Sequence, residues 1–345
     1  MRVLRRIGFL AVLSTALVLP TSEVGAAPSA TCSPRITTLP GLGGGFAEAR
    51  AVNRHRVIVG TAVLEGVGLQ AVWWDRSGQV HRIRTGSGLA DSALGVNDSG
   101  EIVGIADNVE AGFTRGWHRS RAGTVRMLAV PPGFDSSYAA QINNRGEIAG
   151  FLAQIDGLFV PVVWRGTKAR PVRLPLAKPY LQGVAFGINN AGVVVGAVAT
   201  ESGEFVPARW VGERPPEVLR VGGAIRPGTG YAVNNKHQVA GSAGSPEQAA
   251  RWQRDGSGVP LSPLDVGSTG YGINGRGGVA GIAVTVTETR AFVWPGHGTP
   301  RILPSLVPGG RTGAYDVDDR GTAIGFADDA TGATWAAVWH CALPV

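Results

Sequence analysis

Between residues 139 and 176 the apolar positions come in short alternating bursts, not at helical spacing. AAQIN (139–143) runs into the polar NNRG, and EIAGFLA follows it. A polar stretch around Asp156 separates this from LFVPVVW (158–164), and RGTKA separates that in turn from PVRLPL (171–176). Period-two patterning broken by turn residues predicts four short antiparallel strands. Asn at the start and Gly at the end of NNRG suit a type I turn, in which Asn bonds its own backbone and Gly takes positive φ.

The same unit recurs along the chain. Its anchors are Asn53, Asn97, Asn143, Asn189, Asn234, Asn274 and Asp318, spaced by 44, 46, 46, 45, 40 and 44 residues. Each is followed seven residues later by a glycine, from Gly60 to Gly325, and then by a tryptophan: Trp73, Trp117, Trp164, Trp210, Trp252, Trp294 or Trp339. This period predicts an all-β, seven-bladed β-propeller with four antiparallel strands per blade, spanning residues 32–345. Three residues before the anchors stand Leu94, Phe186, Tyr231, Tyr271 and Tyr315, flanked by small residues; Arg50 and Ala140 break that line. The fixed register of the tryptophans points to packing between blades, whereas Trp74 and Trp335 fall outside it and read as surface residues.

A fourth-strand segment follows every tryptophan of the repeat except Trp339, after which only HCALPV remains. RITTLPGLGGG (35–45) resembles RILPSLVPGG (301–310), so the N-terminal strand is expected to complete the last blade and close the ring. Cys32 and Cys341, the two cysteines, flank those two strands and are expected to form a disulfide.

Residues 1–26 read as a Sec-type signal peptide: a basic head with Arg2, Arg5 and Arg6, an apolar centre, and cleavage after Ala26. No later stretch is long and apolar enough for a membrane span, so a secreted monomer is expected. Loss of three arginines and one glutamate with that segment lowers the net charge from +7 to +5. The basicity is nearly all arginine and gives no reason to expect nucleic-acid binding.

Charge is unevenly distributed. Loops between second and third strands carry Glu65, Asp107, Glu110, Asp156, Glu201, Glu204, Glu247, Glu288, Asp328 and Asp329. Loops between third and fourth strands, at the opposite end, carry Arg76, Arg119, Arg121, Arg165, Lys168, Arg170, Arg214 and Arg254 against Asp75, Glu213 and Asp255. One acidic and one basic rim are expected.

The pattern G-[IV]-N-[ND]-x-G-x-[IV]-x-G, followed by a third strand such as TRAFVW (289–294), resembles the HAF-type extracellular repeat. Arg290 stands where that family usually shows His. The resemblance covers about residues 32–345 and implies an exported bacterial repeat protein, with no catalytic residues to carry over.

No G-x-S-x-G elbow, metal-ligand cluster or calcium loop occurs, so no cofactor or metal is expected. Variable loops between fourth and first strands are the expected recognition surface, with Phe134, Tyr138 and Tyr180 as candidate contacts. The first functional reading is a non-catalytic scaffold binding an extracellular glycan, cell-wall polymer or protein through one rim. The alternative is a secreted glycoside hydrolase or polysaccharide lyase using carboxylate pairs such as Asp107/Asp156 or Asp156/Glu201 across the channel mouth.

Overall fold

In the computed structural model the described residues are 32–344, without 88–89, 109, 155–156, 167–169 and 262–266. The expected signal peptide, Asp156 and Lys168 lie outside them. Among the described residues there is no helix.

The anticipated four-strand unit recurs. In the third repeat, Ser136–Ile142, Glu147–Ala153, Phe159–Arg165 and Val172–Arg173 pair in sequence order, each antiparallel to the next. Each turn follows the same rule. Asn143 Oδ1 accepts from the backbone of Arg145 (2.9 Å) and Glu147 (3.0 Å), and Gly146, at φ 76°, donates to the Asn143 carbonyl. In the first and fifth repeats Arg56 (φ 61°) and His237 (φ 63°) hold that left-handed position without glycine.

Each first strand bulges at the residue three before its anchor. Pairing shifts register between Ala185 and Gly187, for example, leaving Phe186 as the extra residue. A classic bulge bends its strand and re-aims one side chain. The bulge also accounts for the glycine seven residues past the anchor. Ala139 pairs with Gly150 and Ala185 with Gly196, and a Cβ on Gly150 would overlap the Tyr138 carbonyl oxygen. Gly150 does not have positive φ, so close backbone approach is the reason for glycine there.

Buried tryptophans fill the space between sheets. Nε1 of Trp164, Trp210 and Trp339 donates to the carbonyls of Ala129, Pro175 and Pro304 in the preceding repeat, at 2.8–3.0 Å. The first repeat corrects the sequence reading. Trp74 is fully buried and donates to the Pro40 carbonyl, while Trp73 is half-buried and stacks on His81 at 4.3 Å. Trp74 pairs with Ile58 as Trp164 pairs with Ile148; a slip of one residue along a strand exchanges its faces. Trp117 is displaced by two residues, opposite Gly104, and so stays on the buried face. Trp335 is half-buried and donates to Asp329 at 2.7 Å.

The two ends of the described chain meet. Arg35–Leu39 pairs antiparallel with Thr334–His340, Arg35 opposite His340 and Leu39 opposite Ala336. A Cys32–Cys341 disulfide joins the same two segments, with Cα atoms 5.7 Å apart. A parallel bridge from Phe46 to Thr334 links the last and first strand sets in one sheet.

Candidate functional site

The bulges and turns gather residues from every repeat around one cavity. At its mouth the anchor side chains form a relay. Nδ2 of Asn53, Asn97, Asn143, Asn189, Asn234 and Asn274 donates to the carbonyl of the next anchor, at 2.9, 3.1, 3.0, 2.9, 2.9 and 3.2 Å. Each amide therefore shapes its own turn and ties it to the next. The turn explanation given by the sequence covers only half of that role. The residue after each anchor extends the pattern: Asp98 N donates to Asn144 Oδ1, Asn144 N to Asn190 Oδ1 and Asn190 N to Asn235 Oδ1, at 2.9–3.0 Å.

Asp318 has no amide to pass on. At that seam Asp316 Oδ2 accepts from Val52 N at 3.0 Å, and Oδ1 from Val317 N at 2.8 Å. Burial raises the Asp316 carboxyl to about 7, assisted by Asp318 and Asp319 and opposed by those two backbone donors. Arg50, from the first repeat, lies 4.1 Å from the centre of the Tyr315 ring and donates to Glu48 at 2.7 Å. Two of the positions that break the aromatic and small-residue pattern, Arg50 and Asp316, are charged and lie where last and first repeats meet; Ala140 and Gln141 break it in the third repeat.

Deeper in, the bulged residues make an aromatic belt. Ring centres of Phe186 and Tyr231, Tyr231 and Tyr271, and Tyr271 and Tyr315 are 5.0–5.4 Å apart. Tyr138 joins the belt from two residues further back, stacking on Phe151 at 4.9 Å where Ala140 leaves room. A cavity of about 140 Å³ remains between these rings and Arg50. Burial pushes the Tyr231 and Tyr315 hydroxyls up to about 12. The cavity at the relay holds about 430 Å³.

The three candidate contacts do not form one surface. Tyr138 lies in a strand, not a loop, and lines the belt. Phe134 is half-buried against the third sheet's core with Arg173 over its ring at 5.3 Å, and Tyr180 packs on the fourth sheet's core. The mouth itself, with Arg54, Asp98 and Asp319, was missed because a turn explanation left its side chains without a further task.

The two ends use their charges differently. Asp107 accepts from the Thr114 hydroxyl, Glu247 from Ser242, and Asp328 from Thr334 and Arg311. Glu288 pairs with Arg290. Asp329 is held down to about 2, chiefly by the Thr331 hydroxyl and then by the Trp335 indole. Glu65, Glu110, Glu201 and Glu204 are exposed. At the opposite end Arg54, Arg76, Arg121, Arg214 and Arg254 are exposed as well. Among the described residues no group of acidic, His or Cys side chains is arranged to hold a metal, and no helix is long and apolar enough to cross a membrane.

No protein-family model and no curated protein matches the chain. Solved structures do. Virginiamycin B lyase from Staphylococcus aureus, as its selenomethionine form, superposes with a TM-score of 0.60 at 10% identity, over 89% of this chain and 99% of that one. The β-propeller domain of the Trilobed protease from Pyrococcus furiosus, which has an open velcro topology, gives 0.55 at 10% identity over 85% and 93%. YCF48 bound to D1 peptide gives 0.52 at 11% identity over 89% and 95%. At such identities the likeness concerns architecture alone, and with the recurring four-stranded sheets it makes this chain a β-propeller.

Proposed function

We propose that the chain is an exported, ring-closed propeller of seven blades, a non-catalytic scaffold that holds an extracellular polymer, glycan or protein on its Asn-turn end. Pairing of Arg35–Leu39 with the last sheet, the disulfide and the Val52–Asp316 bond support closure. Export rests on the sequence of residues 1–26 and on the likeness to HAF-type repeats; a disulfide accords with an oxidising compartment.

The observation that carries the binding reading is the contrast between the ends. At one end Asp107, Glu247, Glu288, Asp328 and Asp329 are committed to their own hairpins or to neighbouring arginines, whereas the Asn-turn end gathers the exposed Arg54, Arg76 and Arg121 around a cavity with a single acid, Asp98, on its wall. A glycan and cell-wall polymer array, run beside a reducing-sugar release assay on the same material, tests it. Retention of a polymer, weakened by salt and without sugar release, is the expected result. Sugar release would replace this reading with the enzyme, using carboxylates of the loops between second and third strands. An outcome with neither retention of a polymer nor sugar release would overturn both.

A further inference from the structure

Only the first repeat places an arginine directly after its anchor; the equivalents of Arg54 are Asp98, Asn144, Asn190, Asn235, Gly275 and Asp319. Arg54 opens onto a cavity of about 630 Å³ between the first two repeats, shared with His55, Arg76 and Arg121. Asp98 is the one acid on its wall. That carboxylate is already engaged, accepting from Asn144 Nδ2 at 2.6 Å and Arg54 N at 3.2 Å, with the Arg54 guanidinium 3.5 Å away. Arg76 spends one N–H on the His55 carbonyl at 3.0 Å. Arg121 has no ion pair or side-chain hydrogen bond among the described residues and stands exposed. Three guanidinium groups against one occupied carboxylate leave a surplus of charged donors, the chemistry that recognises carboxylate or phosphate.

Asn53, Arg54, Asp98 and Asn144 also border the mouth of the central cavity, so the two spaces are adjacent. In the mouth, the side-chain carbonyls of Asn190 and Asn235 each accept a backbone N–H. Their amide N–H groups are not spent on those bonds. Neither space is lined by Trp, Tyr or Phe, so there is no platform on which bases could stack. The donors that line the mouth fit a hydroxyl-bearing chain.

We infer that the cavity lined by Arg54, Arg76 and Arg121 binds the oxyanion of an acidic saccharide, whose neighbouring hydroxyls reach the asparagines of the mouth. This rests on the binding reading above and names its ligand class. Both carboxylate and phosphate satisfy the arginines, so the test carries an arm for each.

Calorimetric titration of the full mature chain with trigalacturonic acid, glucose 6-phosphate and maltotriose reads the site. Binding of either charged sugar but not of maltotriose is expected, and which one binds identifies the group. Combined Arg76→Ala and Arg121→Ala substitution should weaken it at least about tenfold, the loss of charged hydrogen bonds. Arg76→Lys with Arg121→Lys should retain part of it, and Asp98→Asn should strengthen it. Equal binding by wild type and the double alanine variant at matched melting temperature would overturn the subsite. So would maltotriose binding as well as the acids. If a polymer array still retains ligand on that variant, the subsite fails and the scaffold reading stands. If wild type binds trigalacturonic acid while no polymer is retained, the subsite stands and the polymer reading fails.

Discussion

Gly150 and Asp316 show how single positions carry this architecture. At Gly150 the bulged neighbour strand brings the Tyr138 carbonyl to where a side chain would start, and the Trp164 ring closes the other side. Gly150→Val should therefore destabilise by roughly 1–3 kcal/mol or more, as overpacking does; an unchanged melting temperature would contradict the bulge explanation. Asp316 acts through its charge. Its folded-state carboxyl lies near 7 against an ordinary value of 3.8, so the neutral form is favoured on folding. Stability from this group is therefore full below about pH 4 and is lost as pH rises towards 7. Asp316→Asn keeps one oxygen for Val52 N, loses the acceptor for Val317 N at every pH, and should flatten that decline. The difference in melting temperature between variant and wild type, followed from pH 4 to 8, should grow in favour of the variant.

Strands were legible in the sequence because their signals are local: turn asparagines, left-handed glycines and alternating faces. Pairing of Arg35–Leu39 with the last sheet was legible as well, since a missing fourth strand at one end matched a spare one at the other. What was misread depended on register. Trp73 and Trp74 are adjacent, and only the opposing strand decides which faces inward. Tyr138 was assigned to a loop because the aromatic position of its repeat holds Ala140, and only the belt shows that a residue two places back fills the gap. The arginine cavity escaped notice because Arg54, Arg76 and Arg121 belong to two repeats and meet only when these lie side by side. Trp74→Ala should cost about 3–5 kcal/mol, a large core deletion; Trp73→Ala should cost much less. Chemical denaturation of the two variants orders them, and the reverse order would restore the sequence register.

Across the whole molecule, stability depends on joining ends that are far apart in sequence. The disulfide spans 309 residues and ties Cys32 to Cys341 beside an antiparallel pair of strands that joins N- and C-terminal segments. By chain entropy it contributes at most about 6 kcal/mol. Cys32→Ser should lower the melting temperature under oxidising conditions and match wild type in reductant; equal loss in both would mean that the thiol, not the bond, matters. The amide relay has a different bearing on the whole. Each link involves one unit and its successor and is indifferent to how many units precede it, so the hydrogen bonds of the mouth do not count. Whole units of some 45 residues could be gained or lost in descent without redesign of a single turn, and the tally would be fixed elsewhere: by the bulk crowding the axis and by the borrowed strand that must find its place at the end.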